Sequence, residues 1–272
     1  TEAVMKAWKE RNWSWDIDGL SLHYYTVGGW PPKYKATGFG EAEYAKLVKE
    51  TLRIDDWIRT HGAIMHKYDP EKKIALVVDE WGSWLAPTPG SKEGFLEQQN
   101  SQRDAIIAAL NINTFARHAD RVRMANIAQM INVLQAMILT DAEKMILTPT
   151  YHVFRMYVPF QDATFVPVTF EAGTYVHGDI KLPRVDAIAA KDKDGKLWLA
   201  LTNVDPNQVV QLDVAADARR ATGQILSAPK IDSVNTFDAP ATVAPQPLKA
   251  NARGGKITLK LPPHSIAVVA LE

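Results

Sequence analysis

Residues Ile74 to Val78 are apolar without a break, and the run ends on two carboxylates, Asp79 and Glu80 (KIALVVDE). A strand with one wet face alternates polar and apolar side chains. A continuous apolar run of this length instead belongs to a strand buried on both faces, as in a parallel sheet flanked by helices. The surrounding segments have helical periodicity. Thr1 to Trp13 reads as an amphipathic helix, and Glu41 to Tyr68 as a long helix interrupted at Gly62. Gln98 to His118 and Arg121 to Met130 read as further helices, and Pro149 to Val158 as one with proline in its first turn. Asp18 to Tyr25 (DGLSLHYY) and Asn132 to Thr140 (NVLQAMILT) have the length of strands. Strands alternating with helices imply a parallel sheet, open or closed into a (β/α) barrel, and three strands are too few to close one.

From about residue 160 the pattern changes. Phe165 to Phe170, Leu197 to Asn203, Val209 to Val214, Lys256 to Leu261 and Ser265 to Leu271 are short apolar segments. They are punctuated by Asp194-Gly195, Asp205-Pro206, Gly254-Gly255 and Pro262-Pro263, the pattern of an antiparallel sandwich. The expected division is therefore an α/β unit over 1–158 and a β-sandwich over 159–272.

The 31 basic and 31 acidic side chains cancel, so no overall field attracts nucleic acid or an anionic membrane. No apolar run approaches the roughly 20 residues of a membrane helix. The absence of cysteine excludes disulfides and thiolate metal sites and agrees with a cytoplasmic location without requiring one. The chain opens inside a helix with no initiator Met, which reads as a cut through a longer protein. No HExxH, CxxC, P-loop or GxGxxG occurs, and His61, His66, His118 and His152 lack ligand spacing, so no metal or nucleotide cofactor is expected.

Chemistry in a parallel α/β unit sits at the C-terminal ends of the strands. The first strand ends in His23, Tyr24 and Tyr25, and the second in Asp79, Glu80, Trp81 and then Trp84. Gln129, Asn132 and Gln135 surround the third. Hydrogen-bonding side chains among aromatics suit a sugar, whose hydroxyls need polar partners and whose C–H faces need a flat apolar surface. Glu80 has no packing role at the end of an apolar strand, although a carboxylate there also serves to solvate the strand end or cap a turn. In a partly desolvated site it can attack an anomeric carbon or carry a proton. On a regular pleat Asp79 points the other way, and His23 and Tyr25 share a face.

The blocks DGLSLHYY, VVDEWGSW (Val77 to Trp84), RMANIAQMINVLQAMILT (Arg123 to Thr140) and TPTYHVFRMY (Thr148 to Tyr157) resemble, in order, the α-L-arabinofuranosidases of glycoside hydrolase family 51. The resemblance implies a (β/α)8 barrel, of which 1–158 would hold about strands six to eight, followed by a jelly-roll β-sandwich over 159–272. It implies that Glu80 is the nucleophile at the end of strand seven. His23 and Tyr25 would orient it and the arabinose ring, Trp84 would flank the substrate, and Gln129 would bond the sugar, with Gln135 a competing assignment. The family's acid/base lies in an Asn-Glu pair on strand four, and no Asn-Glu dipeptide occurs in this sequence. Retaining hydrolysis needs two carboxyl groups. The expected partners are therefore an arabinose-containing oligo- or polysaccharide, the N-terminal half of the same enzyme, and further copies in a homo-oligomer. By itself the chain is expected to be inactive. A noncatalytic carbohydrate-binding role, or a related hydrolase of other sugar specificity, remains the alternative.

Overall fold

The computed structural model describes residues 1–11, 16–92 and 94–272. Trp13, at the end of the first expected helix, lies outside them. Helix α1 (Glu2–Glu10) leads to strand β1 (Gly19–Thr26), helices α2 (Glu41–Leu52) and α3 (Ile54–Tyr68), strand β2 (Ala75–Ser83), helix α4 (Gln102–Arg117) and strand β3 (Val122–Ile127). The three strands form one parallel sheet in the order β1-β2-β3. Leu76, Val78 and Trp81 of β2 are buried. Trp81 stacks on Phe154 with ring centroids 5.8 Å apart and meets Phe115 of α4 edge-on at 5.4 Å.

The structure corrects three sequence-based expectations. The Glu41–Tyr68 helix breaks at Arg53, not at Gly62. The carbonyl of Glu50 is taken by the Tyr24 hydroxyl and the Arg53 N–H, which interrupts the ladder there. Gly62 stays helical with open space where a Cβ would stand. Arg121 to Met130 contains the third parallel strand, not a helix. Asn132 to Thr140 is mostly a buried loop, with Asn132 and Leu134 at positive φ. Its end enters a hairpin of β4 (Ile138–Asp141) and β5 (Lys144–Leu147), after which α5 (Pro149–Met156) begins as expected, capped by Thr148.

The remaining strands are β6 (Thr164–Val166), β7 (Thr174–His177), β8 (Ile180–Pro183), β9 (Val185–Lys191), β10 (Leu197–Asn203), β11 (Val210–Val214), β12 (Arg220–Leu226), β13 (Gln246–Arg253), β14 (Lys256–Leu261) and β15 (Ile266–Leu271). Eight of them form one hydrogen-bonded sheet in the order β11-β14-β13-β12-β15-β10-β9-β6, and β7 and β8 pair as a separate hairpin. Val210 of β11, near one end of that order, shares an apolar core with Val185 of β9 and Leu199 of β10, near the other end. The sandwich is thus one sheet curled over its own core. The β12–β15 contact is so close that a Cβ on Gly223 would lie 2.0 Å from the Val268 carbonyl oxygen, so the position demands glycine. The fold is the C-terminal part of a (β/α)8 barrel followed by a jelly-roll sandwich.

Candidate active site

Strand β2 is tied down at both ends. Where it begins, Asp69 accepts from the N–H groups of Lys73 and Ile74 at 3.1 and 2.9 Å. Arg121, before β3, donates to Asp69 Oδ2 at 2.8 Å and to the Ile74 carbonyl at 2.9 Å. Where it ends, Gln135 accepts from the Ser83 N–H at 2.7 Å and donates to the Asp104 carbonyl at 2.7 Å and to Thr150 Oγ1 at 3.2 Å. Ser83 Oγ donates to Asp104, whose other oxygen closes the capping box of α4. Both ends of the Gln135 amide are used inside the protein. The competing assignment of Gln135 as the sugar-binding glutamine is therefore replaced by a structural role.

Between these anchors the pleat is broken. From Ser21 to His23 β1 advances two residues while β2 advances three, from Val77 to Glu80. β3 advances two, from Ala125 to Ile127, while β2 advances three, from Val78 to Trp81. Both neighbours find one residue too many in β2, which is a β-bulge. Trp81 consequently stays on the buried side with Leu76 and Val78, and Asp79 and Glu80 both turn toward His23. The expectation that Asp79 points away assumed a regular strand.

His23 Nδ1 lies 2.8 Å from Glu80 Oε2, and its Nε2 lies 3.2 Å from Asp79 Oδ1. Ser21 Oγ donates to the same Asp79 oxygen at 2.6 Å. Burial, and then the Glu80 carboxylate as hydrogen-bond acceptor and charge, push the Tyr25 phenol up, so it remains an O–H donor beside Glu80. Trp84 meets Tyr25 edge-on at 5.1 Å and Trp30 edge-on at 5.3 Å. Trp30 is 70% exposed. Gln129 lies one residue past the Ala128 N–H, which bonds the Trp81 carbonyl at 2.9 Å, so it sits at the same strand ends with its side chain exposed.

The structure thus gathers His23, Tyr25, Glu80 and Trp84 directly and leaves Gln129 at the rim. It adds Asp79, Ser21 and Trp30, which the sequence reading did not assign to the site. A Trp in a Gly- and Pro-rich loop was the available signal for Trp30; nothing in the sequence marks the bulge. Among the described residues no group of three or more His, Asp or Glu is placed to hold a metal ion, and no helix is long and apolar enough to cross a membrane. The sheet face carrying Ser21, His23, Asp79 and Met124 is open to solvent, and among the described residues β1 and β3 each pair on one side only.

Three comparisons bear on this arrangement. The sequence model of the α-L-arabinofuranosidase C-terminal domain matches residues 79–265. An intracellular exo-α-L-arabinofuranosidase of Bacteroides ovatus is 43% identical over 262 residues, which cover 94% of this chain and 51% of that protein. The crystal structure of the family 51 arabinofuranosidase from Xanthomonas axonopodis pv. citri superposes with a TM-score of 0.95 at 50% identity, over 100% of this chain and 55% of that one. An α-L-arabinofuranosidase from Thermotoga maritima, solved with arabinose, shares the fold at a TM-score of 0.74 and 22% identity, over 94% of this chain and 53% of that one. The chain spans about half the length of the relatives it matches.

Proposed function

The chain belongs to the α-L-arabinofuranosidases of glycoside hydrolase family 51, and on that premise we propose that it carries the nucleophile of a retaining exo-α-L-arabinofuranosidase. The substrates are terminal α-L-arabinofuranosyl groups of arabinan, arabinoxylan or arabino-oligosaccharides. The observation that carries the reading is Glu80, half-buried at the end of the central parallel strand, with His23 Nδ1 at 2.8 Å and the Tyr25 phenol beside it. Glu80 attacks the anomeric carbon and forms a covalent arabinosyl ester. A second carboxyl group protonates the leaving oxygen and then activates water for hydrolysis of the ester. That second group belongs to the N-terminal half of the enzyme, whose strands would pair with the bare edges of β1 and β3. Trp84 and Gln129 contact sugar, the aromatic ring against a C–H face and the amide through hydrogen bonds. The enzyme works inside the cell, as the name of the Bacteroides relative states for that protein. Without the N-terminal half the chain is inactive.

The test uses the full-length enzyme and an aryl α-L-arabinofuranoside. Glu80→Ala is expected to abolish turnover, and azide, occupying the space of the missing carboxylate, is expected to restore part of it as the glycosyl azide of inverted configuration. Turnover that persists without azide sinks the assignment. A panel of aryl glycosides run alongside is expected to give turnover with the arabinofuranoside alone.

A further inference from the structure

The bulge in β2 places two carboxylates against one imidazole, and the established pair of roles in retaining hydrolysis uses only one of them. A carboxylate offers only acceptors, so each of the two His23 contacts is a hydrogen bond only if the ring nitrogen there carries a proton. A ring with one N–H would set a lone pair against an anionic oxygen, either at 2.8 Å from Glu80 or at 3.2 Å from Asp79. Each ring nitrogen of His23 thus faces a carboxylate oxygen, and the ring is held between the two acids.

Asp79 is in turn fixed. The Ser21 hydroxyl donates to the same Oδ1 that faces His23 Nε2, and Ser21 stands two residues before His23 on one strand. The line Ser21, Asp79, His23, Glu80 runs across β1 and β2 and back, with the carboxylate that attacks at its end. Rotation of the His23 ring about its Cβ–Cγ bond would break both contacts together, so the Asp79 contact fixes the direction in which Nδ1 faces.

We propose that Asp79 is a positioning residue of this site: anchored by Ser21, it holds the His23 ring so that Nδ1 stays against Glu80 and keeps that carboxylate aimed. Asp79 touches neither sugar nor reacting carbon; it acts through His23. This rests on the reading of Glu80 as the nucleophile. An acceptor held against the far nitrogen of a histidine in this way orients the ring.

In the full-length enzyme Asp79→Asn keeps the size of the side chain and removes its charge. It is expected to lower kcat on an aryl arabinofuranoside roughly tenfold to a hundredfold, the effect of losing one charge-assisted hydrogen bond. KM should stay within about twofold, because no contact to bound sugar is lost. Asp79→Glu, which retains the charge, should recover a large part of the loss, and Ser21→Ala should reduce kcat by a smaller factor in the same direction. Asp79→Asn with kcat within about twofold of the parent overturns the proposal. So does an equal fall in kcat for Asp79→Asn and Asp79→Glu accompanied by a rise in KM. Glu80→Ala, measured in parallel, separates the two claims. If it is silent and rescued by azide while Asp79→Asn is unaltered, only the role of Asp79 fails; if it keeps turnover, the nucleophile assignment itself fails.

Discussion

Replacing Arg121 by Met tests whether the start of β2 is fixed by a buried ion pair. Arg121 and Asp69 are 5% and 3% exposed, and the guanidinium donates to Asp69 Oδ2, to the Asp69 carbonyl and to the Ile74 carbonyl at 2.8, 2.8 and 2.9 Å. Methionine fills much of the same volume but leaves the carboxylate with only its two backbone N–H donors and leaves two carbonyls without their side-chain partner. Breaking such a pair from one side costs about 3–5 kcal/mol, because the surviving charge stays buried. Whole-protein stabilities are about 5–15 kcal/mol, so the effect is large. The assay is urea unfolding followed by tryptophan fluorescence, where a slope of roughly 3 kcal/mol per molar converts that loss into a fall of the midpoint by about 1 M or more. The pH dependence supplies a second check. Burial pushes the Asp69 carboxyl up, but the Ile74 N–H, Arg121 and the Lys73 N–H outweigh it and hold the group below its ordinary 3.8. A carboxyl held low in the folded state stabilises above its unfolded value, and that contribution disappears as pH falls through the folded value. The gap between parent and Arg121→Met should therefore be full at pH 7 and shrink below about pH 4. A loss under about 1 kcal/mol at pH 7, or a gap that persists unchanged into acid, refutes the reasoning.

The two glutamines should separate cleanly. Gln135→Ala strips partners from the Ser83 N–H and the Asp104 carbonyl and should cost roughly 1–3 kcal/mol of stability, read as a lower urea midpoint. Gln129→Ala should leave that midpoint in place and raise KM for arabinosides. Trp84→Ala should raise KM roughly tenfold with a smaller change in kcat, since it removes an aromatic wall and not a reacting group; a change confined to kcat would contradict that placement.

Much of the fold was legible where one physical cause dominates. Ile74 to Val78 declared a strand of a parallel sheet because nothing polar interrupts it. Asp194-Gly195 and Gly254-Gly255 marked hairpins because Gly195, Gly254 and Gly255 adopt the positive φ that those turns require. The third strand was misread because β3 has its own irregularity: from Leu76 to Val77 β2 advances one residue while β3 advances two, from Val122 to Met124, so the alternation that identifies a strand is lost. The run NVLQAMIL misled in the opposite direction. Leu134, Gln135 and Ala136 are buried, but as a loop packed beside the start of α4, a burial that periodicity does not distinguish from a strand's. At the site, residue type and strand end drew attention to His23, Tyr25, Glu80 and Trp84, and roles for them came only with the family resemblance. The company of Asp79 was hidden because it depends on how two neighbouring strands count residues against a third.

That miscount has a consequence for how the site tolerates insertion and deletion. Everything before the bulge in β2 is in phase with the helices outside, and so is everything after it. A chain shortened by Asp79 would keep that phase: Val78 and Trp81 would both stay on the buried side, and Glu80 would occupy the single slot between them. Asp79 thus behaves as a one-residue insertion that adds a second carboxylate to the site while leaving every other side chain of the strand on its original face. A residue added or removed between Ile74 and Val78, without a compensating bulge, would instead put the stretch before it out of phase with the stretch that carries Glu80.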